Sequence, residues 1–405
     1  MLQILKFREP IEINQSNFKD GLDCLYETNF SNFESNNNKL NSIIINKNSI
    51  VKPDNPVYSD TGKARENEDR INVLKTNNSY IFGVADGAGS SGIYCGEWAE
   101  MLLENIPKNP IKNCLQLNLW VQNVFPDFYH KYKSISDDDF IKNKFINEGS
   151  YCSLLIAWLT CNYNKYKLES IIYGDTSLFI FQKDATLKQL YPYDSVDQFK
   201  NSPYLISLLK DANQEHFIHK TFDIDSSDII IAATDGFAKF LLSQYILYIQ
   251  SKKKLSTFDK SLYEKNKDFL SQTYSNKLFM YDKDFKRLLN TIKSKLSNNT
   301  DSFKLFAKEL YYKKFLPNDD CSIIFIDFDE KSLSNINDQT SENENVNASH
   351  KIRIDNGKML SLQYNDKWVK ELLENILSNF PNIIKKDKSL VDIISNYFVF
   401  SKEEQ

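Results

Sequence analysis

Glycine and proline are both scarce in this 405-residue chain, at 11 and 10 residues, which argues against a fibrous or linker-dominated polypeptide. Histidine is rarer still, with four. The six cysteines (Cys24, Cys95, Cys114, Cys152, Cys161 and Cys321) are scattered, with no CxxC pair. In a chain of this length that pattern reads as reduced thiols of a cytoplasmic protein, not a disulfide framework or a zinc cage. His216 and His219 form an HxxH pair with no cysteine or further histidine nearby, so an ordinary loop pair is the better reading. No stretch approaches the roughly 18 consecutive apolar residues of a membrane span. The first 13 residues hold a Lys-Arg-Glu cluster and no long apolar core, against a secretory signal. An excess of one charge is missing too. Fifty Lys and Arg face 54 Asp and Glu, a net charge of −4, so there is no electrostatic case for nucleic acid or an anionic membrane.

What is present is 41% hydrophobic and 26% charged, enough for one large domain with appendages or for two domains. The organising stretch is Tyr80–Glu100. A short apolar run, Ile81 to Ala85, has the length of a buried strand and ends in Asp86-Gly87. Trp98, Met101, Leu102 and Ile106 then recur at helical spacing before Pro107. The same layout returns at Ile229–Ala233, Thr234-Asp235-Gly236 and a helix through Phe237, Phe240 and Leu241. Either copy alone is explained by an Asp-Gly turn after a strand; the repetition is the stronger sign.

Other pieces fall around these two. Residues 1–50 are an N-terminal segment without an assignable role, apart from a short strand at Ile43-Ile44-Ile45. Asn67-Glu68-Asp69 leads into a strand with Ile71 and Val73, although a solvated charged loop is the ordinary reading of such a cluster. Residues 108–147 look helical, with Asp137-Asp138-Asp139 as a solvated cap. Gly174-Asp175-Thr176-Ser177 joins two strands as a tight hairpin, and residues 190–222 read as a loop or flap. Residues 250–315 look like a helical insertion, followed by Asp319-Asp320 and a strand from Cys321 to Ile326. Residues 331–350 have almost nothing to bury and read as a linker. Beyond them a stripe of Trp368, Val369, Leu372, Leu373, Ile376 and Leu377 predicts a small helical appendage over 351–405.

Asp69, Asp86, Asp235 and Asp319 all lie at ends of predicted strands. If they converge, each pair at about 4 Å repels by roughly 4 kcal/mol at an effective dielectric near 20. Such a site needs either protons or divalent cations, and oxygen donors without His or Cys favour Mg²⁺ or Mn²⁺ over zinc.

The ordered set Asn67-Glu68-Asp69, Val84–Gly89 (VADGAG), Gly174–Ser177 (GDTS), Ala233–Gly236 (ATDG) and Asp319–Ser322 (DDCS) resembles the PP2C-type (PPM) metal-dependent protein phosphatases. It covers roughly residues 55–328, and the Gly96–Ala99 helix start is similar to bacterial members. The resemblance implies an α+β fold: two packed antiparallel sheets flanked by helices, here the domain spanning 51–330. It also implies two Mg²⁺ or Mn²⁺ ions and a third, weaker site, with a water bridging the first two ions attacking phosphoserine or phosphothreonine. Asp86 would bridge both ions, with the Gly87 carbonyl on one. Asp235 and Asp319 would hold the first, Glu68 and Asp69 would serve the second, and Asp175 would help Asp235 hold the third. Arg65 would clamp the phosphate, one residue out of the usual spacing, with Lys63 as a second candidate. Ala88 stands where eukaryotic relatives often carry a general-acid histidine. The implied partners are a phosphorylated protein and a cognate Ser/Thr kinase system. The alternative, from another class, is a catalytically silent regulatory or binding module on the same fold. A carboxylate-site nuclease is disfavoured by the acidic chain.

Overall fold

Side chains alternate across a strand, and here that alternation decides what each sheet can pack against. The structure, a computed structural model, describes residues 43–52, 67–76, 78–135, 138–162, 165–276, 280–298, 300–328, 348–353, 359–364 and 400–401. The chain divides into two units, Met1–Asn335 and Ile336–Gln405.

The first unit holds β1 (Ile43–Ile50), β2 (Asp69–Lys75), β3 (Ser79–Gly87), β4 (Tyr151–Asn162), β5 (Lys165–Tyr173), β6 (Ser177–Phe181), β7 (Leu187–Tyr191), β8 (Ile206–Ser207), β9 (Ile218–Ile224), β10 (Ile229–Ala233) and β11 (Cys321–Phe328). One sheet runs β1-β11-β10-β6-β7; the other runs β2-β3-β4-β5-β9, with β8 added to β4. Every pairing is antiparallel. In β3, Phe82 and Val84 face the other sheet while Ile81 and Ala85 face outward. In β10 and β11, Ile230, Ala232, Ile324 and Ile326 face inward, and Ile231, Ala233, Ile323 and Phe325 face the opposite helices. Both faces of these central strands are apolar because both are covered.

Helices cover the two outer faces. On the β3 side lie α1 (Cys95–Glu104), α2 (Cys114–Lys133) and α3 (Asp139–Glu148), burying Trp98, Trp120, Phe128 and Phe145. Asn113 caps α2 by accepting Gln116 N–H, and Asp138 caps α3 by accepting Phe140 N–H and Ile141 N–H. On the β10 side lie α4 (Asp235–Gln250), α5 (Thr257–Lys265), α6 (Lys267–Asn276), α7 (Phe285–Asn298) and α8 (Thr300–Tyr312). The result is a four-layer α+β sandwich, two antiparallel sheets between helices.

Several expectations change. The helices of 250–315 belong to the layer over the β10 sheet: Phe285, Leu288, Leu289, Ile292 and Phe303 join the same core as Phe237 and Tyr245. The boundary expected at residue 50 falls at the end of a paired strand, since β1 matches β11 residue for residue from Ile43↔Phe328 to Ile50↔Cys321. Gly174–Ser177 is not a hairpin: β5 and β6 lie in different sheets, and the link crosses between them with Gly174 at φ 107°. The expected flap contains a real strand, β9, paired with β5 from Tyr166↔Ile224 to Ile172↔Ile218.

In the second unit β12 (Ala348–Arg353), β13 (Met359–Tyr364) and β14 (Phe400–Ser401) form an antiparallel three-stranded sheet. The expected appendage is therefore not wholly helical; the stripe Trp368–Leu377 lies outside the described residues, as do Lys63 and Arg65. Among the described residues no helix is long and apolar enough to cross a membrane, and Cys95, Cys114, Cys152, Cys161 and Cys321 are free thiols.

Candidate active site

The inner faces of both sheets turn from apolar to polar at the same end. On β2 and β3 the inward positions run Val73, Ile71, Asp69 and Phe82, Val84, Asp86, and Asp69 stands directly opposite Asp86 in the register. On β10 and β11 the same parity runs Ile230, Ala232, Thr234 and Ile326, Ile324, Ser322. The two ends meet: Thr234 Oγ1 donates to Asp69 Oδ2 at 2.7 Å and accepts from Ser322 N–H at 2.8 Å. Thr234 is the N-cap residue of α4, but its hydroxyl makes no capping bond; it ties the sheets together instead.

Asp235 follows as the first residue of α4, where the positive end of the helix dipole favours a carboxylate. Gly236 lets that helix start close to the β11 end: a Cβ there would sit 2.9 Å from the Asp320 carbonyl oxygen and 3.6 Å from Asp319 Cβ. Asp175 enters from the inter-sheet crossing. Gly174 lies against Ser153, and Ser153 is the β4 register partner of Asp86. Asp319 is partly exposed, whereas Asp320 is buried and spends its two oxygens on Lys52 N–H (2.8 Å) and Glu68 N–H (3.0 Å). The two adjacent aspartates thus differ in use: Asp319 faces the cluster and Asp320 braces the backbone around it.

Glu68 and Asp69 also part company, as neighbours entering a strand must. Asp69 joins Asp86 and Thr234, while the Glu68 carboxylate rests on Gly89, where a Cβ would be 2.2 Å from Oε1. Gly87, expected to offer its carbonyl, accepts Gly89 N–H at 3.0 Å on that oxygen, which leaves a second lone pair. His216 and His219 are engaged separately, His216 stacked on Tyr204 and His219 bonded to Glu169 at 2.8 Å.

The electrostatics follow from burial and crowding. Burial raises the Asp86 carboxyl well above its usual range, and Asp69, Asp235, Asp175 and Asp319 add repulsion. Asp235 is raised well above by burial, then by Asp175, Asp319 and Asp69. Burial lifts Asp69 to about 7 against the pull of the Thr234 hydroxyl, and Asp175 to about 6 against its own backbone amide and Ser153. Asp175 Oδ1 and Asp235 Oδ1 are shut from solvent without a hydrogen-bond partner, a costly state for a polar atom. Burial also pushes the Cys321 thiol well up, so it is not a thiolate donor. Hard oxygens, two of them orphaned, fit Mg²⁺ or Mn²⁺. The cage is not closed: among the described residues no three Asp, Glu, His or Cys side chains are grouped tightly enough to form a ready-made ion site.

Reading the sequence missed Thr234, Asp320, Lys52 and Tyr193. The Tyr193 phenol is raised by burial and by the charges of Asp175 and Asp235, which puts this ring beside the cluster. Only Thr234 had a usable signal, a hydroxyl immediately before an Asp-Gly helix start.

No protein-family model matches the sequence, and no curated protein matches it. Solved structures with a similar arrangement include a bacterial serine phosphatase, 10% identical with a TM-score of 0.38, covering 70% of this chain and 97% of that one. The S. agalactiae serine/threonine phosphatase is 13% identical with a TM-score of 0.36, covering 71% and 99%. The Mycobacterium tuberculosis serine/threonine phosphatase PstP/Ppp is 12% identical with a TM-score of 0.37, covering 71% and 99%. Likeness at this level carries no functional argument.

Proposed function

We propose that this chain is a PP2C-type phosphatase that hydrolyses phosphoserine and phosphothreonine in a phosphorylated protein with the help of divalent cations. The observation that carries the reading is the meeting of two sheet ends at one acidic point, where Asp69, Asp86, Asp175, Asp235 and Asp319 feel one another's charge. Asp86, Asp235 and Asp319 would hold the first Mg²⁺ or Mn²⁺, with Asp69, Asp86 and the Gly87 carbonyl toward the second. Asp175 would share a weaker third with Asp235. Bound there, the ions would supply Lewis acidity toward the phosphoryl oxygens and activate water.

The protein's own part is positioning. The β-sheet register keeps Asp69 and Asp86 side by side, and Thr234 holds one Asp69 oxygen so that the other is left to the site. Burial raises the proton affinity of Asp175 and Asp235 in the ion-free protein, so protons and cations would compete for the same oxygens. Arg65 or Lys63 would contact the phosphate. A cytoplasmic location and a cognate Ser/Thr kinase belong to the same reading.

Hydrolysis of p-nitrophenyl phosphate and of a phosphothreonine peptide, with Mn²⁺ and with excess chelator, tests the proposal. Activity that survives chelation, or an Asp86→Asn variant as fast as the wild type, overturns it. The open cage favours a second reading, a catalytically silent module on the same fold. Mn²⁺ binding without turnover of either substrate would select it.

A further inference from the structure

A lysine stands at the acidic end of the sandwich. Lys52 follows β1 by two residues, and its backbone N–H is pinned to Asp320 Oδ1 at 2.8 Å. The other Asp320 oxygen takes Glu68 N–H at 3.0 Å, so one buried carboxylate holds the chain on both sides of the site. With its backbone fixed, the Lys52 side chain reaches inward. It is 20% exposed, and Nζ lies 3.7 Å from Asp319 Oδ1. That same oxygen accepts Asp320 N–H at 2.9 Å. Asp319 lies beside Asp235 across Gly236 and adds its charge to Asp69, Asp86, Asp175 and Asp235.

We propose that Lys52 is the built-in counter-ion of Asp319 and that it weakens and thereby sets the affinity of the neighbouring divalent-cation position. The inference rests on the reading above that these carboxylates take divalent cations. An ammonium and a dication on one carboxylate repel each other twice as strongly as two unit charges at the same distance. Ion uptake would therefore draw the lysine away from Asp319. The ion-free protein keeps a charge partner for Asp319, at the expense of ion affinity.

The test is calorimetric titration of Mn²⁺ into the full chain, without substrate, for the wild type and for Lys52→Met, Lys52→Arg and Asp86→Asn. The Lys52 contact that braces the backbone is made by N–H, which methionine and arginine retain, so these variants keep that anchor. Lys52→Met should bind Mn²⁺ about three- to tenfold more tightly, a modest change because a partly exposed ion pair is worth little. Lys52→Arg should stay within about twofold of wild type. Lys52→Met should also melt lower than wild type without ions, and no lower with saturating Mn²⁺. Equal or weaker Mn²⁺ binding by Lys52→Met overturns the proposal. If that variant binds Mn²⁺ like the wild type but shows a raised KM for phosphopeptide, the lysine serves the substrate's phosphate instead and the counter-ion role falls. Failure of the underlying reading looks different: the wild type takes up no Mn²⁺, or Asp86→Asn binds it unchanged.

Discussion

At the scale of single residues, buried carboxylates held near one another make the ion-free protein sensitive to pH. Asp69 and Asp175 have folded values of about 7 and about 6 against an ordinary 3.8. A raised value means that folding favours the protonated form. The stability this contributes is complete below the ordinary value and is lost as pH rises through the folded one. The ion-free protein should therefore melt at progressively lower temperature from about pH 4 to about pH 7, the interval between the ordinary and folded values, and Asp69→Asn should flatten that profile in a calorimetric scan. The gain in melting temperature on adding Mn²⁺ should grow over the same range, because deprotonated carboxylates bind it better. Asp86→Asn should abolish Mn²⁺-dependent hydrolysis and yet raise the ion-free melting temperature by several degrees, about 1–2 kcal/mol, because an amide spares the fold a buried carboxyl that must either ionise among like charges or hold a proton. A variant that loses both activity and stability would show that Asp86 is needed by the fold and would leave its proposed role unsupported.

At the scale of elements, the site depends on how closely α4 begins against β11. Gly236→Ala would force a Cβ to within 2.9 Å of the Asp320 carbonyl oxygen. Backbone on the other side cannot yield as a side chain can, so a loss of about 1–3 kcal/mol is expected in denaturant unfolding. A Gly236→Ala protein as stable as the wild type would mean that the helix start moves freely. A second clasp lies between α5 and the turn at Val196–Lys200. Asn266, buried, accepts Val196 N–H at 2.9 Å and donates to Asp194 O and Leu262 O at 2.8 Å each. Lys265 pairs with Asp194 beside it. Asn266→Ala should cost about 2 kcal/mol by leaving buried backbone groups unpaired, and protection of the Val196 amide from hydrogen exchange should fall with it. These contacts connect α5 to the segment that carries Tyr193, next to Asp175 and Asp235.

At the scale of the whole molecule, the three buried clusters and every described site residue lie before Asn335. We expect a chain ending at Asn335 to unfold in one cooperative transition and to bind Mn²⁺ as the full chain does, because its own layers bury its apolar faces. Calorimetry on that chain checks both, and loss of the transition would give residues 336–405 a part in the core. The filling of the sandwich explains why the site sits at an end. Away from that end the space between the sheets is filled mainly by apolar side chains, among them Phe82, Val84, Leu155, Ile180, Ile230 and Ile324.

Local sequence determined the apolar runs of β3, β10 and β11, the Asp-Gly ends of two of them, and the helical spacing of α1 and α4, since each depends on neighbours along the chain. It could not distinguish a hairpin from a crossing at Gly174–Ser177, because a turn with glycine serves both and only the separation of β5 and β6 into two sheets decides. Nor could it divide labour between Asp319 and Asp320, or free Thr234 from capping α4 to hold Asp69. Those assignments belong to tertiary structure for a physical reason: they depend on which groups approach across 165 and 252 residues of chain, and only the packing of one sheet on the other sets those distances.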